Sequence, residues 1–96
     1  MELADSTLIN SRLNELEGWE YSNESISKVF KFADFSGAVA FIVKIAAEAE
    51  KMDHHPDILL FNYNNLKITL STHSKGGVTE NDFELAGKIN NLGKSV

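Results

Sequence analysis

The sequence predicts an α+β domain in which four antiparallel strands form one sheet and three helices pack on one of its faces, in the order α-β-β-α-β-β-α. Two observations predict this class. Amphipathic helical patterns occur three times, and between them come two pairs of short segments with apolar residues at alternate positions. Strands that come in adjacent pairs favour hairpins and an antiparallel sheet. We expect a single domain over residues 1–96, since the chain is long enough for only one core.

The first quarter of the chain is predicted to form a helix followed by a hairpin. The segment ADSTLINSRLNELEG can be capped by Asp5 or Ser6 and can end at Gly18. Its apolar stripe consists of Leu8, Ile9, Leu13 and Leu16. The segment WEYSNESISKVFKF then predicts two strands that turn near residues 23 and 24. One face of the second strand carries Ile26, Phe30 and Phe32, and Lys28 interrupts it.

The segment FSGAVAFIVKIAAEAEKM gives the strongest helical pattern in the chain. One apolar face follows steps of four and three: Phe35, Val39, Ile42, Ala46 and Ala49. Phe41 and Ile45 form a second, flanking strip. We expect this helix to be buried on two sides or covered by a neighbouring subunit, and to end near Asp53, because Pro56 disfavours helical backbone at the residue before it.

The remaining segments predict a second hairpin and a third helix. In DILLFNYNNLKITLSTH we place a two-residue turn at Asn64 and Asn65, which puts residue 63 opposite 66 and residue 56 opposite 73. Leu66, Ile68 and Leu70 then share one face of the second strand, and the other face carries Lys67, Thr69, Ser71 and His73. The segment TENDFELAGKINNL predicts a helix whose inward residues are Phe83, Ala86 and Ile89.

The histidines of this chain, three in number, are predicted to lie in one small region. His54 and His55 stand side by side between the second helix and the third strand, and His73 ends the fourth strand. Adjacent strands lie only ~5 Å apart, so the predicted register brings His73 beside the corner that contains the other two. Imidazole changes its charge near neutral pH, so such a group suits proton transfer in both directions.

Simpler interpretations remain open for each of these residues. His54 taken alone can be a helix-end cap or a solvated side chain. A zinc site needs several histidine and carboxylate ligands, but adjacent histidines lack the i, i+4 spacing of two ligands on one helical face, so we expect no metal. Thr79 and Asp82 have the spacing of a capping box, and Glu50 can be a solvated residue of the last helical turn.

Composition excludes several functional classes. The net charge is −5 at pH 7, with no basic run, so we expect no direct nucleic-acid partner. The chain has no cysteine, which excludes disulfides and thiolate metal sites. We see neither a secretory signal nor an apolar run long enough to span a membrane, and we therefore expect a cytoplasmic protein without membrane partners.

The spacing of these polar residues resembles the signature of the pterin-4a-carbinolamine dehydratases. The matching positions are Trp19 after Gly18, Glu50, the segment His54-His55-Pro56, Tyr63, the segment STH ending at His73, and Asp82. The likeness extends from the first helix to the third. It implies dehydration of 4a-hydroxytetrahydropterin to quinonoid dihydropterin and water, in tetrahydrobiopterin recycling, by histidine acid–base catalysis without a cofactor.

The resemblance also implies roles for individual residues and partners. His54 would be the main acid–base residue, with His55 and His73 as partners in proton transfer. The substrate-binding residues would be Glu50, Asp53, Ser71, Thr72, Ser74, Asp82 and Trp19. Asp82 could also steady His73, and Glu50 could orient a histidine. The resemblance further implies a homodimer or homotetramer. The alternatives are a non-catalytic interaction module of the same fold and an enzyme for another pterin, such as one in molybdenum cofactor metabolism.

Overall fold

The computed structural model describes residues 2–94 and confirms the predicted fold class and element order; residues 1, 95 and 96 of the predicted domain lie outside this range. The helices are α1 (Ser6–Glu15), α2 (Phe35–Met52) and α3 (Glu80–Gly93). The strands are β1 (Glu20–Ser22), β2 (Ser25–Lys31), β3 (Asp57–Phe61) and β4 (Asn65–Leu70). A 3-10 turn, His73–Lys75, lies between β4 and α3. Among the described helices, none is both long and apolar enough to cross a bilayer.

The strands form one antiparallel sheet in the order β1-β2-β4-β3, with the helices on one face. The inner face and the helices share a core made of Ile9, Trp19, Ile26, Phe41, Ile45, Ala49, Leu66, Ile68, Leu70, Val78, Phe83, Leu85, Ala86 and Ile89. Val29 and Leu59 on the opposite face are exposed. The shared apolar face predicted for β4 and the predicted inward residues of α3 lie in this core, because alternation along a strand and the helical period decide which side chains face it.

The first helix and hairpin follow local sequence signals. Asp5 caps α1, and its carboxylate accepts the backbone N–H of Leu8 at 2.9 Å. The tight turn between β1 and β2 holds Asn23 and Glu24 at φ values of 51° and 62°. Two successive residues at positive φ give a turn whose twist matches that of the strands, so this hairpin turns where the sequence predicted.

Helix α2 packs on the sheet with the flanking strip of Phe41 and Ile45 rather than with the longer apolar face. Its buried residues are Ala38, Phe41, Ile45 and Ala49, whereas Phe35 and Val39 are exposed. The ring of Phe41 packs between Phe30 and Phe32, with centroid distances of 5.2 and 5.1 Å, and this contact fixes the rotation of the helix. Both faces of α2 are apolar, so the periodicity alone did not distinguish the core face from the exposed one.

The second hairpin has a different register from the predicted one. Phe61 pairs with Asn65 and Asp57 with Thr69, so residue 56 does not lie opposite residue 73. The turn comes earlier, at residues 62–64, and Tyr63 is exposed in it rather than in a strand. Asn64 is instead buried, and its side chain donates to the backbone oxygen of Phe32 at 2.8 Å. This contact with the residue after β2 shifts the turn toward the N-terminus. The turn preferences of residues 62–65 could not predict it, because they reflect only the local sequence.

Candidate active site

The corner between α2 and β3 is built by a left-handed residue at the end of the helix. Asp53 has a φ of 51° and ends α2, while the N–H of His54 bonds back to the oxygen of Ala49 at 3.1 Å. These two features form the reversal that commonly ends a helix, and an aspartate tolerates this conformation better than most residues. The next two side chains then have different partners: His54 contacts Asp82 of α3, and His55 contacts Glu50 of α2.

The segment after β4 folds into a compact loop that carries the other predicted site residues. Thr72 pairs with Gly77 in an isolated bridge, and its N–H bonds to the oxygen of Gly77 at 2.7 Å. Gly76 adopts a φ of 71°, a conformation that suits glycine, and closes the 3-10 turn. As a result the hydroxyl of Thr72 is buried beside α3, whereas His73 and Ser74 are exposed on the turn.

Asp82, at the start of α3, joins this loop to the corner. Its side chain is completely buried, and its two oxygens contact three groups. Oδ1 lies 2.5 Å from Nε2 of His54, while Oδ2 lies 2.9 Å from both the hydroxyl of Thr72 and the backbone N–H of Thr79. The predicted capping box of Thr79 and Asp82 is present as well. One carboxylate therefore caps α3 and holds an imidazole at the same time.

The chemistry of the donors fixes the proton on His54. A carboxylate only accepts hydrogen bonds, so Nε2 of His54 must carry the hydrogen that lies toward Asp82. The other ring nitrogen, Nδ1, then supplies the lone pair or the exchangeable proton. The side chain of His54 is only 10% exposed. A histidine that is held through one nitrogen and presents the other is suited to general acid–base chemistry.

His55 has the opposite environment, although it is the next residue. Its Nε2 lies 2.5 Å from Oε2 of Glu50, one turn back on α2. Both side chains are largely exposed, at 59% and 73%. Glu50 thus contacts a histidine, and the resemblance implied that it could orient one. An exposed pair of this kind is weakly held and can rearrange around a ligand.

The remaining predicted site residues are distributed over three places. Asp53, Ser71, His73 and Ser74 lie at the corner and on the adjoining loop, and the side chain of His73 makes no hydrogen bond to any other described residue. The expected contact between Asp82 and His73 is not formed, because Asp82 bonds His54. Trp19 lies in the core, and its indole N–H donates to Asn90 at 3.0 Å. The structure thus links His54, Asp82 and Thr72 directly, and His73 follows Thr72 in the chain.

A second polar cluster surrounds Lys28 on the inner face of the sheet. The sequence indicated it only in that Lys28 interrupts the apolar face of β2. The ammonium of Lys28 donates to the backbone oxygen of Glu17 at 2.8 Å and to Oδ1 of Asn90 at 2.9 Å, and it lies 4.6 Å from the centre of the Phe30 ring. Burial lowers the pKa of Lys28, and the nearby Glu17 carboxylate opposes that shift. This cluster borders a cleft of about 530 Å³ whose lining contains no histidine.

The histidine corner does not gather the ligands of a metal site. Among residues 2–94, no three His, Asp or Glu side chains are grouped so that they could hold a metal ion. Asp82 and Glu50 are each engaged by a different histidine. The arrangement therefore offers proton donors and acceptors at separate positions.

Comparison with known proteins identifies a family. The model of the family described as pterin 4 alpha carbinolamine dehydratase matches residues 2–92. A protein of Sulfolobus acidocaldarius, provisionally named a pterin-4-alpha-carbinolamine dehydratase, is 52% identical over 88 residues, which cover 92% of this chain and 96% of the relative. A relative from Rhizobium johnstonii with the same provisional name is 46% identical over 89 residues, covering 90% of this chain and 86% of that protein.

Solved structures are similar over most of the chain. The crystal structure of a transcriptional coactivator/pterin dehydratase from Brucella melitensis superposes with a TM-score of 0.90 at 41% identity, covering 95% of this chain and 98% of that one. A pterin dehydratase-like protein described as a RuBisCO assembly factor in the alpha-carboxysome has a TM-score of 0.62 at 24% identity, covering 77% of this chain and 84% of that one. The second likeness shows the fold alone.

Proposed function

Since the chain belongs to the pterin 4 alpha carbinolamine dehydratase family, we propose that it is a hydro-lyase that converts 4a-hydroxytetrahydropterin to quinonoid dihydropterin and water. In this reaction the bond between C4a and the hydroxyl oxygen breaks, the N5–H proton is lost, and a double bond forms between N5 and C4a. The hydroxyl leaves as water after it gains a proton. The reaction therefore needs one proton donor and one proton acceptor, placed close together.

The observation that carries this proposal is the contact between His54 and Asp82. A buried carboxylate fixes the ring of His54 and leaves Nδ1 for the substrate. We assign His54 as the main acid–base residue, with His55 and His73 as partners that exchange protons with the pterin or with solvent. Positioned groups of this kind each contribute about a hundredfold or more to a rate.

We assign pterin binding to the residues that surround these imidazoles. Asp53 and Glu50 lie at the end of α2, and Ser71, Thr72 and Ser74 lie on the loop after β4. Backbone groups of this loop can bond the edge of a planar heterocycle. Asp82 acts through His54, since its own oxygens are all engaged within the protein. Trp19 lies in the core, so we assign it a structural role rather than contact with the pterin.

The test is a dehydration assay with 4a-hydroxytetrahydropterin, run on the wild type and on His54→Ala. We expect turnover by the wild type and a loss of about a hundredfold or more in kcat for the variant, with the fold retained. The control is Lys67→Ala, on the exposed outer face of β4, which alters no predicted site residue and should leave kcat unchanged. Near-normal turnover by His54→Ala would contradict the assignment.

The principal catalytic alternative is an enzyme that acts on a different pterin. If the wild type is inactive on the tetrahydrobiopterin derivative but active on another reduced pterin, the fold and the site assignment stand while the recycling role is wrong. An assay panel of pterins that differ in their side chain at C6 separates the two cases. We also propose a cytoplasmic location, since the predicted substrate is a small soluble metabolite.

We further propose that the chain forms a homodimer or homotetramer. The supporting observation is the apolar strip that α2 leaves exposed: Phe35, Val39 and Val43, of which Val43 is 64% exposed. A contiguous exposed apolar strip on a helix is typical of an interaction surface. The same strip is what a non-catalytic interaction module would use. Light scattering on Val43→Glu, with Lys44→Glu as the control, should give a smaller mass only for the first variant.

A further inference from the structure

The hydroxyls of Thr72 and Thr79 form a chain that ends on Asp82. The two hydroxyl oxygens lie 2.8 Å apart, and the Thr72 oxygen lies 2.9 Å from Oδ2 of Asp82. Both threonines and the aspartate are buried. Buried polar groups are almost always paired, so the direction of each hydrogen bond in this chain can be deduced from the number of hydrogens available.

The direction of the chain follows from Asp82. A threonine hydroxyl has one hydrogen, and the contact of Thr72 with a carboxylate oxygen uses it, since a carboxylate has none to give. The contact between the two hydroxyls then needs a hydrogen from Thr79. The hydroxyl of Thr79 therefore donates to that of Thr72, which in turn donates to Asp82. Because Thr79 donates to it, the hydroxyl of Thr72 cannot reverse and donate to Thr79.

The chain controls which oxygen of Asp82 is left for the histidine. Oδ2 receives the Thr72 hydroxyl and the backbone N–H of Thr79, so Oδ1 alone faces Nε2 of His54. A carboxylate held at three points has little freedom to rotate. The imidazole that it binds is consequently fixed both in orientation and in tautomer, with the hydrogen on Nε2.

We propose that Thr79 and Thr72 are positioning residues for His54: their hydroxyls hold Asp82 in the orientation that keeps the proton of His54 on Nε2 and Nδ1 directed to the substrate. The effect of this role on catalysis rests on the proposed dehydratase function. The role goes beyond helix capping, since a cap needs the Thr79 oxygen as an acceptor and not its hydroxyl as a donor.

The first experiment uses Thr79→Val and its matched control Thr79→Ser, with the histidines labelled with ¹⁵N. Nitrogen chemical shifts distinguish a protonated ring nitrogen from one with a lone pair, and they need no substrate. We expect the wild type and Thr79→Ser to show His54 with its hydrogen on Nε2. In Thr79→Val we expect a mixture of tautomers and a fall in kcat of about tenfold, with KM changed by less than about twofold.

The second experiment separates this role from the stability of α3. Thr72→Val removes the donor to Asp82 but leaves the capping box of Thr79 intact, with Thr72→Ser as its control. We expect the same change in the His54 nitrogen shifts, and this variant carries the test if Thr79→Val does not fold. Wild-type nitrogen shifts in either folded valine variant would overturn the proposal. Inactivity of the wild type would overturn the dehydratase function, whereas the nitrogen shifts would still decide the positioning role.

Discussion

His54 and His55 are neighbours in the chain, yet they have opposite surroundings. His54 is almost completely buried and bonds the fully buried Asp82, whereas His55 is more than half exposed and bonds the exposed Glu50. The two contacts have the same length, 2.5 Å. Distance alone therefore does not distinguish them; the number of further bonds to each carboxylate and the access of water do.

The difference separates a fixed imidazole from an adaptable one. Asp82 accepts bonds from Thr72 and from the backbone of Thr79 as well as from His54, so moving it breaks several contacts in a site without water access. Glu50 contacts His55 in solvent, where an ion pair contributes little to stability. A dehydratase needs both properties, because one group must be aligned with the bond that reacts and another must exchange protons with solvent.

The largest expected effect comes from Asp82→Asn. The amide keeps the shape of the side chain but can accept at only one of the two positions, so at least one of the three donors loses its acceptor and the carboxylate that fixes the tautomer of His54 is gone. We expect kcat for dehydration to fall by about a hundredfold or more.

The matched change on the exposed side is Glu50→Gln. Within residues 2–94 its carboxylate contacts one side chain, that of His55, and it has ample access to water, so we expect kcat to change by less than about tenfold. Steady-state kinetics on the two variants measure the contrast. Equal losses would show that burial does not distinguish the two histidines.

A smaller contrast is expected in the free energy of unfolding. His54→Ala leaves the Asp82 carboxylate buried with one donor fewer, so we expect a loss of about 2 kcal/mol. His55→Ala removes an exposed side chain and should cost less than about 0.5 kcal/mol. Urea denaturation of both variants provides the measurement. A cost for His55→Ala that matches that for His54→Ala would contradict the comparison.

Lys28 extends the comparison to a partly buried cation. Its folded-state pKa is lowered by burial below the ordinary value of 10.5, so the folded protein releases this proton at a lower pH than the unfolded chain does. Between the lowered pKa and 10.5 the unfolded state binds more protons, and the contribution of Lys28 to stability therefore rises with pH.

The measurement is the difference in unfolding free energy between the wild type and Lys28→Met, from neutral pH to about pH 10. We expect the wild type to gain stability relative to the variant as the pH rises. Lys31→Met, in which an exposed lysine of the same strand is replaced, is the control and should show no such trend. A difference that is constant with pH, or that moves the other way, would contradict the lowered pKa.

The smallest expected effect concerns Asp53, which turns the chain toward both histidines. Asp53→Gly suits the left-handed backbone at this position, and we expect a gain in stability of about 0.5 kcal/mol. If Asp53 contributes to the pterin site only through its backbone, KM should change by less than about threefold. A large rise in KM together with retained stability would show that the carboxylate itself contacts the substrate.

The fold was predictable where local signals agreed with one another. Asp5 caps α1, Asn23 and Glu24 form the first turn, and the alternation from Leu66 to Leu70 marks the inner face of β4. The errors have tertiary causes. The local sequence does not predict that Phe41 packs between Phe30 and Phe32, or that the side chain of Asn64 donates to the backbone oxygen of Phe32. Those contacts set the rotation of α2 and the register of the second hairpin.

The sequence proposed the residues of the candidate site but not the contacts among them. The predicted place of His73 beside the corner depended on a strand register that is wrong. The link between the corner and the loop is instead made by Asp82, which bonds both His54 and Thr72. A capping box explains Asp82 fully at the level of sequence, and only the packing of α3 against the corner reveals its second role.

The central claim is that the corner of His54 and His55, together with the loop after β4, binds a pterin. Chemical-shift mapping of the ¹⁵N-labelled protein during titration with a dihydropterin tests it most directly. We expect the shifted signals to cluster at residues 53–55 and 71–74, including the ring nitrogens of His54. Shifts centred instead on the cleft around Lys28 and Asn90, or no shifts at saturating ligand, would contradict the claim.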